Sequence, residues 1–203
     1  MKTAGIFLLS ILSLMILSCG GSKKVAEESG KMNRMDETKF KKRKADNPII
    51  AIDTDFGTMT LELYYDVAPV HVDSMLARVR EGFYNGLIFH RVIDGFMIQG
   101  GDPTGTGTGD AGYTLKAEFS DLPHIEGTLS MARARDPNSA SCQFFICLDR
   151  APHLDGQYTV FGQLLDGFDT LHKIGSVPTD SRDRPLEDVI MRKVYVIEDI
   201  PWH

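Results

Sequence analysis

Cysteine is scarce in this sequence, which has three cysteines among its 203 residues, at positions 19, 142 and 147. Cys142 and Cys147 fall in the segment SCQFFICL, whose apolar and aromatic residues predict a β-strand. Five residues of strand separate two Cα atoms by about 16 Å, whereas a disulfide requires about 4.4–6.8 Å. We therefore expect no bond between these two cysteines. The six scattered histidines form none of the close Cys and His pairs of a structural zinc site, so no metal is predicted.

The sequence also lacks the common motifs of nucleophilic, zinc-dependent and phosphate-binding enzymes. It contains no G-x-S-x-G elbow, no H-E-x-x-H pair and no G-x-x-x-x-G-K-[ST] loop. The segment GTGTGD at 105–110 has three spaced glycines, but it lacks a following helix and a lysine that could hold phosphates. A mobile surface loop is the expected structure there, and no cofactor is predicted.

An excess of basic residues is absent as well. The chain has 22 Lys and Arg against 28 Asp and Glu, a net charge of −6. Residues 47–203 alone carry twelve basic and 23 acidic residues, a net charge of −11. Since binding to nucleic acid depends on neutralising phosphates, we expect no nucleic-acid partner.

A long apolar run occurs only at the N-terminus, where Ile6–Leu17 follows the single basic residue Lys2. The run is shorter than the roughly 20 residues that span a bilayer, so residues 1–18 are predicted to be a secretion signal. It ends in ILSC at 16–19, which resembles the lipobox of bacterial lipoproteins, where small or apolar residues precede an acylated cysteine. We expect lipidation of Cys19, with palmitate among the acyl chains; the alternative is an ordinary signal peptide beside an accidental thiol.

Residues 19–46 are polar and carry a net charge of +4. Such a segment cannot bury enough apolar surface to offset the entropy of ordering, so we expect a flexible tether with an end-to-end distance of about 30 Å. The compact domain is then 47–203, with a monomer as the default expectation. Gly20 stands where an Asp often signals inner-membrane retention. We therefore expect the anchored domain at the cell envelope, on the periplasmic face of the outer membrane or at the cell surface rather than at the inner membrane.

Hydrophobic periodicity in the domain predicts many short strands and two helices. Apolar and polar residues alternate on both sides of DFG in 49–64, which predicts a β-hairpin. Pro69 at a helix start and Gly82 at its end bound an amphipathic helix, and a second helix is predicted over 166–175. Further strands are predicted at 87–93, 97–100, 127–132, 142–148, 158–164 and about 189–199. This pattern favours a mainly β fold, an antiparallel barrel or sandwich with two helices.

The segment FHRVIDGFMIQGGD, residues 89–102, places an arginine inside a strand. A two-residue turn at Asp94 and Gly95 would put Arg91 and Gln99 on opposite faces of the hairpin. A three-residue loop, 93–95 or 94–96, would put Arg91, Met97 and Gln99 on one face, because a shift of one residue exchanges the faces. Local signals leave both registers open, and Arg91 is then either part of a cleft or a charge at a sheet edge.

Four segments, FHRVIDGFMIQGGD, GTLSMARA, PNSASCQFFI and HLDGQYTVFGQLLDG, resemble the cyclophilin family of peptidyl-prolyl cis/trans isomerases, in order over about residues 48–198. The resemblance implies a closed eight-stranded antiparallel barrel capped by two α-helices, and it favours the three-residue loop. The implied catalytic residue is Arg91. The implied substrate-binding residues are Phe96, Met97, Phe145 and Leu154 around the proline ring, Gln99, Gln143, Ala132, Arg133 and Ala134 along the peptide backbone, and His153 and Tyr158 at the rim.

Two of these positions depart from many family members, especially eukaryotic ones. His153 stands where those members have a tryptophan that contacts the inhibitor cyclosporin, and Tyr158 stands where they have a histidine. We expect isomerase activity with weak cyclosporin binding. Arg133 and the stretch ARDPNSA resemble bacterial members. The predicted partners are proline-containing segments of exported proteins; the alternative is a module that binds such segments with little turnover. The remaining histidines, His71, His90, His124 and His172, are expected at the surface or as hydrogen-bonded structural residues.

Overall fold

A computed structural model of the protein describes residues 46–199; the predicted signal peptide, Cys19 and the tether before residue 46 lie outside them. The elements in chain order are β1 (Ile49–Thr54), β2 (Gly57–Leu63), α1 (Pro69–Arg80), β3 (Arg91–Ile93), β4 (Met97–Gly100), β5 (Thr128–Met131), β6 (Phe144–Cys147), a 3-10 helix (Pro152–Leu154), β7 (Val160–Asp166), α2 (Phe168–Gly175) and β8 (Met191–Glu198). No helix within 46–199 is both long enough and apolar enough to cross a bilayer.

The predicted first hairpin is confirmed. Strands β1 and β2 pair antiparallel, with Ile50 opposite Leu61 and Ile52 opposite Met59. All four side chains are fully or almost fully buried, because alternate residues of a strand point to the same side of a sheet. The alternation in the sequence therefore selects the inner face of this hairpin.

Helix α1 is confirmed at both of its predicted ends. Pro69 occupies the first turn, where its missing N–H is not needed, and Gly82 follows the helix with φ 71°, a left-handed conformation that suits glycine. A residue distant in sequence caps the first turn of the helix. The carboxylate of Glu118 accepts from the backbone N–H of Val70 and of His71 at 3.2 and 3.1 Å, where the helix dipole favours negative charge.

All eight strands form one sheet in the order β3-β4-β6-β5-β7-β2-β1-β8, and every neighbouring pair is antiparallel. The two end strands meet through the short stretches that precede them. Met191 accepts from the N–H of Gly86 and donates to the carbonyl of Leu87, both at 2.8 Å, and Phe89 donates to the carbonyl of Val189 at 2.9 Å. The predicted eight-stranded antiparallel sheet with two helices is thus confirmed. These three hydrogen bonds join the two edges of the curled sheet.

The core lies inside the curled sheet and draws on every strand and both helices. Its buried members include Ile50, Leu61, Val72, Val92, Ile98, Leu129, Ile146, Leu164, Leu171 and Met191. Helix α2 begins two residues later than predicted, and the 3-10 helix Pro152–Leu154 was not predicted. The predicted strand 142–148 shortens to β6, so Cys142 precedes the strand. Cys142 and Cys147 are both buried free thiols.

Candidate active site

The hairpin of β3 and β4 turns through a three-residue loop, residues 94–96. Arg91 lies opposite Gln99 and Ile93 lies opposite Met97. The N–H of Phe96 donates to the carbonyl of Ile93 at 3.0 Å, and Gly95 between them has φ 67°, a conformation that glycine adopts without strain. The structure therefore selects the three-residue register, and Arg91 and Gln99 share one face.

The same face continues across the sheet into β6. Gln99 lies opposite Phe145, and Met97 lies opposite Cys147. The residues between them on these strands, such as Val92 and Ile98, belong to the core on the other side. Because paired strands are about 4.8 Å apart, Arg91, Gln99 and Phe145 form a row that places a cation, an amide and an aromatic ring side by side.

A cavity of about 290 Å³ opens over this row, near the small end of the range for ligand pockets. Ten of the twelve residues predicted for the site line it: Arg91, Phe96, Met97, Gln99, Ala132, Arg133, Phe145, His153, Leu154 and Tyr158. They come from β3, β4, β6, the segment after β5 and the segment around the 3-10 helix. The fold thus gathers residues up to 67 positions apart along the chain into one concave surface.

The other two predicted residues, Gln143 and Ala134, lie beside the cavity. Gln143 accepts from the side-chain nitrogen of Gln99 at 2.9 Å. Its backbone carbonyl accepts from the N–H of Ala132 at 2.9 Å. The N–H of Ala134 donates to the hydroxyl of Ser139 at 3.0 Å, so in this structure it is engaged within its own loop. Gln143 therefore supports the lining residue Gln99, whereas the exposed Ala134 belongs to the adjoining loop.

The apolar part of the cavity is a small cluster separate from the core. Met97, Phe145, Cys147, Ala151 and Leu154 are its buried members, with Phe96 and Tyr158 packed against them. Burial raises the pKa of the Cys147 thiol to about 12, so the thiol stays protonated and behaves as an apolar side chain. This part of the cavity therefore offers a dry wall to a ring-sized apolar group.

One part of the rim is held by a cation stacked on an aromatic ring. The guanidinium carbon of Arg133 lies 4.4 Å from the ring centroid of Tyr158. The same guanidinium donates to the backbone carbonyls of Ala134 and Gln157, both at 3.0 Å. These contacts hold Arg133 flat against the rim. At the remaining side, His153 lies 5.4 Å from Phe96 between ring centroids.

Phe145 rests on a buried histidine that was predicted only as a structural residue. The rings of His124 and Phe145 stack with centroids 5.9 Å apart. The Nδ1 of His124 lies 3.2 Å from a carboxylate oxygen of Asp155, and its Nε2 lies 3.0 Å from the hydroxyl of Ser130. Burial lowers the pKa of His124 more than Asp155 raises it. A neutral imidazole with a partner at each nitrogen therefore fixes the plane of Phe145.

The expectation for the glycine-rich segment 105–110 is only partly correct. The segment lies at the surface, but it wraps around the buried side chain of Asp102. That carboxylate accepts from the N–H of Thr104 at 2.7 Å, of Thr106 at 3.1 Å and of Gly109 at 3.2 Å, and also from the N–H of Gly107. Burial alone would raise the pKa of Asp102, but these bonds outweigh it and lower the pKa. The protein's own carboxylate occupies the concavity that a phosphate would need.

Sequence reasoning missed one neighbour of Arg91. The Nε of Arg91 donates to a carboxylate oxygen of Asp183 over 3.2 Å. The two residues are 92 positions apart, and no local signal in the sequence around Asp183 connects it with β3.

Comparison with known proteins agrees with this geometry. The family model described as "Cyclophilin type peptidyl-prolyl cis-trans isomerase/CLD" matches residues 49–196. A peptidyl-prolyl cis-trans isomerase-like 1 protein of Gibberella zeae is 43% identical over 156 residues, which cover 74% of this chain and 95% of that protein. Its namesake from Mus musculus is 42% identical over 154 residues, 73% and 92% of the two chains. A crystal structure of a cyclophilin-type isomerase of Cryptosporidium parvum in the presence of the dipeptide Ala-Pro is similar with a TM-score of 0.71 and 37% identity, and the match covers 74% of this chain and 99% of that one.

Proposed function

The chain belongs to the cyclophilin-type peptidyl-prolyl cis-trans isomerase family and has that activity, and we propose that it acts through Arg91 on proline-containing segments of exported proteins. The observation that carries the assignment of Arg91 is its position directly opposite Gln99, on the face that bears the apolar pocket. The Cryptosporidium relative crystallised with Ala-Pro supports an X-Pro ligand for this cavity.

The reaction requires no bond to be broken. Rotation about an X-Pro amide faces a barrier of about 18–20 kcal/mol because amide resonance is lost, and it takes tens to hundreds of seconds unaided. An enzyme accelerates it by binding the twisted amide more tightly than either planar isomer. As the amide twists, the prolyl nitrogen regains a localised lone pair that can accept a hydrogen bond.

Arg91 supplies the donor for that lone pair. A preorganised charged donor that is shielded from water once a bound peptide covers it stabilises such a transition state by about 3 kcal/mol, or about a hundredfold in rate. Met97, Phe145 and Leu154 are buried in the wall beside it, and together with Phe96 they hold the proline ring while the preceding carbonyl rotates.

The peptide on either side of the proline needs polar partners. The amide nitrogen of Gln99 is engaged by Gln143, which leaves the oxygen of Gln99 to accept from a peptide N–H. The segment after β5 lines the cavity with Ala132 and Arg133; the carbonyl of Ala132 is available to an extended ligand, whereas the N–H groups of Ala132 and Ala134 are already bonded within the protein. His153 and Tyr158 at the rim define the width of the opening.

Isomerisation of an X-Pro peptide by the full chain and by its Arg91→Ala variant tests this assignment. We expect kcat/KM to fall about a hundredfold in Arg91→Ala with a small change in KM, because the hydrogen bond forms only in the transition state. An Arg91→Ala variant as fast as the wild type would remove Arg91 from the mechanism. Negligible turnover by both proteins, with peptide still bound, would favour the binding-module alternative.

The cellular setting is proposed from the N-terminal sequence. A secretion signal followed by a lipobox at Cys19 would anchor the domain at the cell envelope, where newly exported chains with slow X-Pro bonds fold. Incorporation of radiolabelled palmitate tests the anchor: we expect label in the wild-type protein and none in Cys19→Ala. Label retained in Cys19→Ala would locate the acyl chain elsewhere, and label absent from both would leave an unanchored exported enzyme.

A further inference from the structure

Arg91 has a carboxylate partner outside the cavity. Its Nε donates to Asp183 over 3.2 Å, while Arg91 itself lines the cavity. A guanidinium has five N–H donors in a rigid plane, so a contact through Nε fixes the plane and leaves the terminal nitrogens for a ligand. We propose that Asp183 is a positioning residue that orients the guanidinium of Arg91, a role that rests on the proposed function of Arg91.

The backbone of Asp183 is attached to the strand that carries Arg91. Its carbonyl accepts from the N–H of Val92, the residue after Arg91, at 2.8 Å, and its own N–H donates to the carbonyl of Asp180 at 3.1 Å. The carboxylate of Asp183 is therefore held at a set distance from the start of the Arg91 side chain.

The backbone conformation of Asp183 indicates that its side chain is needed. Its φ is 64°, and it is the one residue other than glycine with a positive φ within 46–199. A glycine would adopt this conformation without steric cost, and among the other residues Asp and Asn adopt it most readily. The aspartate is explained if its carboxylate has a task that glycine cannot perform.

A tight turn holds Asp183 in place. The carboxylate of Asp180 accepts from the N–H of Arg182 at 2.8 Å and from that of Arg184 at 3.0 Å. The N–H of Asp180 donates to the carbonyl of Arg184 at 2.8 Å, and Thr179 pairs with Pro185. These bonds close the turn around Asp183, so the conformation is determined by its surroundings.

The ion pair of Arg91 and Asp183 contributes little to the stability of the fold. The side chains of Arg91 and Asp183 are 44% and 41% exposed, and exposed ion pairs contribute little to folding. The orientation of the Arg91 guanidinium can nevertheless affect the rate strongly, because a small misplacement of a reacting group can lower a rate many-fold. We therefore expect the loss of the carboxylate to reduce turnover while the protein remains as stable as before.

The test compares variants of the full chain with an X-Pro peptide as substrate. Asp183→Gly removes the carboxylate and keeps the backbone conformation; Asp183→Asn keeps an oxygen acceptor, and Asn tolerates a positive φ. We expect kcat to fall about fivefold in Asp183→Gly with KM unchanged, and Asp183→Asn to recover most of it. The matched control is Asp188→Asn, which removes a carboxylate that pairs with Arg184 in the same segment; its kcat should equal that of the wild type.

The double variant Arg91→Ala with Asp183→Gly decides whether Asp183 acts through Arg91. We expect it to be no slower than Arg91→Ala alone, since no guanidinium is left to orient. A further fivefold loss in the double variant, or a wild-type kcat in Asp183→Gly, would overturn the proposal. If Arg91→Ala is slow and Asp183→Gly is normal, only the positioning role fails; if Arg91→Ala is normal, the proposed catalytic role of Arg91 fails and the positioning role with it.

Discussion

The side-chain nitrogen of Gln99 donates to the side-chain oxygen of Gln143 over 2.9 Å. Gln143 in turn donates to the carbonyls of Gly107 and Gly109 at 3.2 and 2.8 Å, which fixes the end of its amide that faces Gln99. The glycine-rich loop around Asp102 thus orients a cavity residue through two successive amides.

This relay predicts the effect of Gln143→Leu. Without the acceptor, Gln99 rotates freely and one partly buried polar contact that orients it is lost, which corresponds to about 1.4 kcal/mol or about a tenfold decrease in kcat/KM. Peptide isomerisation measures it, with Gln163→Leu as a control for loss of a glutamine side chain on β7, away from the cavity. Equal kcat/KM in wild type and Gln143→Leu would contradict the relay.

The start of helix α1 depends on a residue 48 positions away from Val70. Glu118→Ala leaves the N–H groups of Val70 and His71 without their acceptor and also removes the partner of the buried His71 Nδ1 at 2.6 Å, and we expect the free energy of unfolding to fall by at least about 1–2 kcal/mol. Urea denaturation measures this change. Glu187→Ala, which removes an exposed glutamate, is the control, and a Glu118→Ala variant as stable as this control would show that the cap contributes nothing.

Because His90 is buried, the free energy of unfolding should depend on pH. It is 6% exposed, and neither ring nitrogen has a hydrogen-bond partner among the described residues, contrary to the expectation of a hydrogen-bonded histidine. Burial lowers the pKa of His90 more than Asp102 raises it. The folded protein therefore binds this proton less readily than the unfolded chain does, and stability is lost as pH falls below about 6.5 toward the lowered pKa.

The variant His90→Leu removes this contribution. We expect the free energy of unfolding to decrease less between pH 7.5 and pH 5.5 in His90→Leu than in the wild type. The slope should not vanish, because burial also lowers the pKa of His71 and of His124. Denaturation curves at three pH values measure the difference, and parallel pH profiles for the two proteins would contradict the assignment.

The residue at position 153 should determine how tightly the protein binds cyclosporin. Its ring lies at the cavity rim, 5.4 Å from that of Phe96, at the position where many family members have tryptophan. We expect weak binding by the wild type and about tenfold tighter binding by His153→Trp, because the larger ring buries more apolar surface. Calorimetric titration measures both, and His172→Trp is the control at an exposed position. No gain in His153→Trp would exclude this position as the cause of weak binding.

The sequence was sufficient where the signal is local. Alternation around DFG predicted β1 and β2, and proline and glycine marked the ends of α1. Local signals left two registers for the hairpin of Arg91, because a shift of one residue satisfies the same local pattern; the family resemblance favoured the three-residue loop, and the pairing of Arg91 with Gln99 confirms it. Two features could not be predicted: the contact of Asp183 with Arg91 and the enclosure of Asp102. Each depends on how the folded chain brings distant or looping segments together, and no short segment of sequence specifies that.

The cavity wall and the core are two apolar clusters on opposite sides of the same strands. Along β6, Phe144 and Ile146 belong to the core, whereas Phe145 and Cys147 belong to the wall. A library randomised at the lining positions that are partly or fully exposed, Phe96, Gln99, His153 and Tyr158, should accordingly contain a high proportion of folded members, whereas one randomised at core positions or at the buried wall residues should not. The ligand preference of the enzyme is thereby open to directed evolution at these four positions with little penalty to folding.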